Sequence, residues 1–103
     1  MQFSRVQGQF TYMTGQLIQF AYANGYYMTY GDAYATSGHK KNSFHGKRLA
    51  VDFNLFEAKT GKLLTTTKEY EPLGIFWESI GGTWGGRFTN VPDGDGNHFS
   101  YKE

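Results

Sequence analysis

Three short segments of the sequence carry side chains that can bind a metal ion and act on a water molecule. They are Ser43-Phe44-His45, Ala50-Val51-Asp52 and Asp95-Gly96-Asn97-His98. Together they supply two imidazoles and one carboxylate as ligands, and the carboxylate of Asp95 lies three residues before the last histidine. A catalytic zinc site has this composition: three nitrogen or oxygen ligands, one position for water, and a nearby base for the proton of the water. The other elements would then form the scaffold that brings these segments together.

The length and composition of the chain limit its class. With 103 residues, we expect a single domain over residues 1–103 with one modest core. Ten Lys and Arg side chains nearly balance nine Asp and Glu side chains, so the charge does not indicate a nucleic-acid partner. The chain has no cysteine, which excludes disulfides, thiolate zinc sites and cysteine nucleophiles.

The sequence also indicates in which compartment the protein is made. No apolar run reaches about 18 residues, so we expect no membrane insertion. The first residues lack a basic region followed by an apolar stretch, so we expect no signal peptide. The chain is therefore expected to be synthesised in the cytoplasm, and to stay there or leave by another route.

The apolar pattern predicts an α+β domain with a small antiparallel sheet, a long N-terminal helix and a second, short helix. Apolar residues spaced by three and four predict the first helix over about residues 3–24, with Gly25 as its C-cap. The second helix is expected to have Pro72 in its first turn and to end at Gly81-Gly82. β-prone and alternating runs predict strands at residues 26–30, 48–56, 62–66, 84–88 and 98–101.

Alternation in the strand at residues 48–56 places Asp52 on the face opposite the apolar side chains. Its same-face neighbour Ala50 is small, which leaves space above the sheet for a ligand position. By strand parity His45 would be on the wrong face, so it must lie in the preceding loop, where Gly46 lets the backbone turn toward Asp52. A solvated carboxylate and an ordinary loop histidine are the simpler interpretation of this spacing taken alone. The apolar face consists of Leu49, Val51, Phe53 and Leu55.

The segment from Asp95 to His98 sets a carboxylate and an imidazole three residues apart across a turn that Gly96 permits. In such a turn the carboxylate can reach a water molecule on a metal ion that the histidine binds. A simple loop is the alternative, because residues 92–97 are rich in turn formers. Asp93 and Asp95 also fit part of a calcium loop, but no glutamate follows at the required spacing.

These segments resemble a known enzyme family. Ser43-Phe44-His45 and Ala50-Val51-Asp52 resemble the Ser-x-His-x6-Asp signature of zinc D-alanyl-D-alanine carboxypeptidases and L-alanyl-D-glutamate endopeptidases, most closely the short phage endolysin type. The similarity runs in the expected order over most of residues 16–103. The segments that carry it are residues 42–45 and 48–56, Pro72-Leu73-Gly74, residues 76–79 and 81–88, and Gly96-Asn97-His98.

The resemblance implies a zinc peptidase fold of the D-alanyl-D-alanine carboxypeptidase type that acts on the stem peptide of bacterial peptidoglycan. The bond it indicates first is L-alanyl-D-glutamate. It implies one Zn2+ per chain, bound by His45, Asp52 and His98, with Asp95 as the general base. Such an enzyme would be made in the host bacterial cytoplasm and act on the cell wall after release. The oligomeric state stays open.

The sequence departs from the family at one position. Family members usually carry an Arg soon after an aromatic residue in the loop before the Ser-x-His motif, whereas Ala35 follows Tyr34 here. Loss of one charged stabiliser at a transition state costs on the order of 10²–10³ in rate. Another cation must replace it, or the chain is a weak or inactive relative. The candidates by position are Lys47, Arg48 and Arg87.

Two further residues have a substrate-binding and a structural interpretation. Ser43 would contact the substrate or fix its loop. Trp84 would form a substrate platform between glycines or belong to the core. The candidate substrate-binding residues are therefore Ser43, Arg48, Trp84 and Arg87.

Three alternatives remain. A D-alanyl-D-alanine carboxypeptidase would share this metal site and differ in the cleft beyond it. An HNH-like nuclease would use His39, Asn42 and His45 near lysines. It would require a more strongly basic surface, and it leaves Asp52 and the Asp95–His98 turn unexplained. A non-catalytic phage structural or binding protein could keep a degenerate peptidase fold, for which Ala35 is the support.

Overall fold

The computed structural model describes residues 3–31 and 49–102. In these residues the chain has two α-helices and five short strands, which confirms the expected α+β class. The helices are α1 (Phe3–Ala23) and α2 (Thr67–Ser79), and a 3-10 helix covers Gly85–Arg87. The strands are β1 (Tyr26–Tyr30), β2 (Ala50–Glu57), β3 (Leu63–Leu64), β4 (Thr83–Trp84) and β5 (His98–Ser100).

Strand β2 organises the described sheet, in which all pairs are antiparallel. The order of the strands is β1-β2-β5-β4, and β3 also pairs with β2. β1 lies along one edge of β2, while β5 and β3 share its other edge. Because the register of β2 and β5 sets Asp52 opposite His98, two segments far apart in sequence become cross-strand neighbours.

Both helices pack on one face of this sheet. Four residues of the predicted apolar stripe of α1 are buried, and the side chains of Phe53 and Leu55 on β2 are buried beneath the helices. Asp52 and Asn54 lie on the opposite face and are partly exposed, which confirms the alternation predicted for β2. Neither described helix is long and apolar enough to cross a membrane. The buried residues of α1 are Phe10, Met13, Leu17 and Ala21.

The second helix begins five residues earlier than Pro72, so the prediction for its start is wrong. Thr66 is the N-cap: its hydroxyl accepts the N–H of Glu69, and the Glu69 carboxylate accepts the N–H of Thr66. This capping box satisfies two helix-end donors and outweighs the preference of proline for a first turn, so Pro72 lies inside α2. The C-terminal end is as predicted, because Gly81 has φ +98° and ends the helix.

Two predicted strands are shorter in the structure. β3 covers Leu63–Leu64 rather than residues 62–66, and the segment at residues 84–88 is not a strand beyond Trp84. It turns instead into the 3-10 helix, in which Gly86 lies so close to the Trp84 ring that a Cβ there would be 2.3 Å from Cζ2. Helix α1 and strand β1 match their predicted bounds within one residue. Most of the loop predicted at residues 31–46 lies outside the described residues.

Helix α2 rests on the ring of Trp84. The indole is 2% exposed, and a Cβ placed on Gly74 would come within 2.1 Å of its Cδ2 atom. Only a residue without a side chain lets the helix approach the ring so closely. Gly74 therefore sets the distance between α2 and the strands that carry the candidate site.

We predict that Gly74→Ala lowers the stability of the fold. Helix propensity alone favours alanine by about 1 kcal/mol, but overpacking against a buried indole costs about 1–3 kcal/mol. Thermal unfolding should show a Tm lower by several degrees. Gly15→Ala is the matched control, because a Cβ on Gly15 in α1 meets nothing within 4 Å. That variant should be as stable as the parent or more so, and a similar Tm for both variants would contradict the steric argument.

Candidate metal site

The side chains of Asp52 and His98 lie next to each other on the sheet face opposite the helices. Their Oδ1 and Nδ1 atoms are 3.4 Å apart, and the side chains are 16% and 9% exposed. Because the two residues are paired across antiparallel strands, the backbone register itself sets this proximity. The pair therefore does not depend on a loop conformation.

The separation suits two ligands of a single zinc ion. Zinc bonds of about 2.0–2.1 Å to nitrogen and oxygen, at a tetrahedral angle, place the two ligand atoms about 3.3 Å apart. A carboxylate and an imidazole are also the donor types that an open zinc site uses. Within residues 3–31 and 49–102, no three His, Asp or Glu side chains form a metal-binding group. The expected third ligand, His45, lies outside the described residues.

His98 packs closely against Phe88 and Gly85. Its imidazole packs against the ring of Phe88, with centroids 5.3 Å apart. The backbone of Gly85 also approaches so closely that a Cβ there would be 2.7 Å from His98 Cβ. The imidazole is therefore positioned before any ligand binds, which lowers the cost of organising the site.

The turn that carries Asp95 is tied to three elements. The Asp95 carbonyl accepts the N–H of His98 at 3.1 Å, and the Asp95 N–H donates to the first carbonyl of the 3-10 helix at 2.8 Å. The Gly96 carbonyl accepts the indole N–H of Trp84 at 2.8 Å, and the Gly96 N–H donates to Thr67 Oγ1 at 3.1 Å. The turn is therefore held by β4, α2 and the 3-10 helix.

Tyr70 of α2 is buried against strand β2. It is 4% exposed, and its hydroxyl donates to the carbonyl of Phe53 at 2.7 Å. Burial raises the pKa of Tyr70 to about 12, and the negative charges of Asp52, Glu69 and Asp95 act in the same direction. The phenol therefore stays protonated and donates its hydrogen bond to the backbone of β2.

Two of the predicted substrate-binding residues are engaged within the protein. Arg87 binds Glu78 of α2 through Nε–Oε2 at 3.0 Å and Nη2–Oε1 at 3.1 Å, and this contact raises the pKa of Arg87. The guanidinium lies 5.0 Å from the centroid of the Trp84 ring. With Trp84 2% exposed, the structure favours its core interpretation over the platform.

The other candidate residues fall in a segment that the structure does not describe. Ser43, Arg48 and His45 are all in residues 32–48, as are Lys47 and Ala35. The sequence analysis in turn missed Thr67 and Phe88, which hold the site turn and the imidazole. Nothing in the spacing of either residue marks that role, because both act through contacts between distant elements.

These features define a small α+β domain with an imidazole and a carboxylate at ligand spacing, as in a metal-dependent hydrolase. Residues 37–101 match the sequence model of a peptidase family described as D-alanyl-D-alanine carboxypeptidase. The match covers more than half of the chain, so the chain belongs to this family. It is thus a metallopeptidase of the peptidoglycan-directed class, and peptidases of this family are generally zinc-dependent. No curated protein matches the chain.

We predict that Trp84→Phe loosens the site turn. The ring still packs on Gly74, but the buried carbonyl of Gly96 loses its donor, which costs about 1–3 kcal/mol. Denaturant unfolding should show this loss, and hydrogen exchange should speed up for residues 95–98. Tyr101→Phe is the control, since it removes an exposed hydrogen bond to Gln9 and should change stability by less than about 0.5 kcal/mol. Equal effects in the two variants would contradict the assigned role of the indole N–H.

Proposed function

We propose that the chain is a zinc-dependent, cell-wall-lytic peptidoglycan peptidase of the phage endolysin type that hydrolyses the L-alanyl-D-glutamate bond of the stem peptide. The observation that carries the proposal is the Asp52–His98 pair, which lies at ligand spacing within the family match. The enzyme would be made in the host bacterial cytoplasm and reach the wall after release. A D-alanyl-D-alanine carboxypeptidase with the same site is the alternative.

Asp52, His98 and His45 would hold one zinc ion. When bound, zinc lowers the pKa of its water toward ~7 and polarises the scissile carbonyl. The register of β2 and β5 presents the Asp52 and His98 ligands together, and Phe88 keeps the imidazole in place. The described part of the site is thus organised in advance for binding, and only the segment with His45 must add the third donor.

Asp95 would carry the proton. Its carboxylate accepts a proton from the attacking water and returns it to the leaving amine nitrogen as the C–N bond breaks. The turn that holds Asp95 is fixed by the hydrogen bonds of Gly96 to Trp84 and Thr67. A base held in this way needs little reorganisation during the reaction.

The loop arginine that family members usually carry is replaced here by Ala35, and this change is expected to lower the rate of hydrolysis. Arg87 is oriented by its two contacts with Glu78 of α2, through Nε and Nη2, so its guanidinium is already engaged within the protein. Arg48 and Lys47 are therefore the better candidates for stabilising the negative charge that develops on the carbonyl oxygen. If neither does so, the chain is a weak relative of the family.

The bond is identified by the masses of the products. Purified peptidoglycan is incubated with the zinc-loaded protein, and the fragments are analysed by mass spectrometry. Release of a stem peptide that begins with D-glutamate supports the proposal, while loss of a single terminal alanine indicates the carboxypeptidase. Absence of any product, in protein that binds zinc, would favour the inactive structural relative.

We predict that His98→Ala and Asp52→Asn abolish stoichiometric zinc binding, because each removes one of three ligands. Metal analysis of the purified variants after dialysis measures the effect, and His45→Ala should behave alike. His39→Ala is the control, since the family resemblance does not place His39 among the zinc ligands and its variant should keep one zinc per chain. Zinc retained in both histidine variants of the site would refute the ligand assignment.

We predict that Asp95→Asn keeps zinc but lowers hydrolysis by about 10²–10⁴, the contribution of a positioned acid–base group. The amide has the size of the carboxylate but cannot accept the proton. Turnover of peptidoglycan, followed by product masses, measures the loss. Asp93→Asn is the matched control, because Asp93 is exposed in the same loop, and it should remain largely active. The reverse pattern would make Asp93 the base.

A further inference from the structure

The sheet face that carries Asp52 continues into a group of apolar side chains at the far end of β2. Phe56 lies between Tyr27 of β1 and Leu63 of β3 in the strand register. The rings of Tyr27 and Phe56 are stacked, with centroids 4.8 Å apart and planes at 5°. Leu63 is 48% exposed. We call Tyr27, Phe56 and Leu63 the apolar row.

The apolar row does not belong to the core. Met28 and Leu55, the chain neighbours of Tyr27 and Phe56, point to the helices and pack in the core. By strand alternation the apolar row therefore faces the other side, where Tyr27 and Phe56 remain partly exposed. Exposed apolar groups that continue into polar ones mark binding surfaces.

One polar residue, Asn54, lies between the apolar row and the candidate metal site on this face of β2. Asn54 lies between Asp52 and Phe56 on the same face of β2, and its amide donates to Thr29 Oγ1 at 3.2 Å. At about 3.3 Å per residue, the four residues from Asp52 to Phe56 span roughly 13 Å. One extended ligand can therefore contact the metal site and the apolar row at once.

The chemistry of peptidoglycan suggests which part of the substrate reaches the apolar row. A sugar ring presents a flat face of C–H groups, which packs well on an aromatic ring, while the stem peptide near the scissile bond carries small or charged groups. Between the sugar and the carbonyl of L-alanine lie two units of residue length, or about 7 Å when extended. The width of the sugar ring, and the distance from the scissile carbonyl to Asp52, account for the rest of the roughly 13 Å between Asp52 and Phe56.

We propose that the apolar row is a subsite for a sugar ring of the glycan strand, which deepens and rests on the proposed peptidase function. The D-alanyl-D-alanine bond is several residues further from the sugar. A ring seated on Tyr27 and Phe56 therefore places the L-alanyl-D-glutamate bond, and not the terminal one, at the metal site. The preferred substrate is a stem peptide still attached to its glycan.

The test compares two substrates that differ only in the sugar: a disaccharide–tetrapeptide and the same free tetrapeptide. The variants are Tyr27→Thr and Phe56→Thr, in which threonine keeps the β propensity of the strands. KM for the glycan-bearing substrate should rise about three- to tenfold in each, the range of a lost aromatic stacking contact. KM for the free tetrapeptide and kcat for both substrates should stay unchanged.

Tyr30→Thr is the matched control, because Tyr30 lies on the same strand, is 64% exposed and faces the other side of the sheet. It should leave both KM values unchanged. Equal KM values for the two substrates in the parent protein would overturn the proposal. So would a concentration-dependent dimer, detected by analytical ultracentrifugation, that disappears in the two variants, because the apolar row would then be a self-association surface.

A binding experiment separates this proposal from the proposed reaction. An NMR titration with a peptide-free oligomer of N-acetylglucosamine requires neither zinc nor turnover. Shifts at Tyr27 and Phe56 in the parent support the subsite even if the protein hydrolyses nothing, provided that the Phe56 shift is lost in Tyr27→Thr and the Tyr27 shift in Phe56→Thr. No shifts in correctly folded parent protein, together with equal KM values or no hydrolysis, overturn the subsite while leaving the peptidase proposal to its own test.

Discussion

The contact between Gly74 and the indole of Trp84 sets the geometry on which the candidate site depends. The ring fills the space between α2 and β4, and its N–H holds the Gly96 carbonyl at 2.8 Å. The Trp84 side chain thus fixes both the distance between α2 and β4 and the position of the turn that carries Asp95. Because a buried carbonyl without a donor is costly, packing and hydrogen bonding at this point reinforce each other.

The second constraint is the register of β2 and β5. A shift by one residue would turn Asp52 toward the helices and place Phe53 on the open face, which would bury a carboxylate and expose an aromatic ring. The apolar alternation of β2, which builds the core, therefore also keeps Asp52 next to His98 at the candidate metal site. The same alternation places Phe56 on the face of Asp52, so the candidate subsite and the candidate metal site share one physical origin.

The candidate site residues are positioned in two ways, by strand pairing and by a turn. Asp52 and His98 lie on paired strands, whereas Asp95 lies in a turn that several elements hold in place. Arg87, an exposed cation near this turn, forms an ion pair with Glu78, and this pair connects the 3-10 helix to α2.

The sequence by itself determined the class of the fold, the bounds of α1 and β1, the faces of β2 and the family, because apolar periodicity and local motifs carry this information. It misplaced the start of α2, since Pro72 was weighted above the capping pair of Thr66 and Glu69. Only the tertiary structure decided that Asp52 faces His98 at 3.4 Å, that Trp84 is buried, and that Arg87 is bound to Glu78. These outcomes depend on strand register and on contacts between distant elements, which no local pattern of residues encodes.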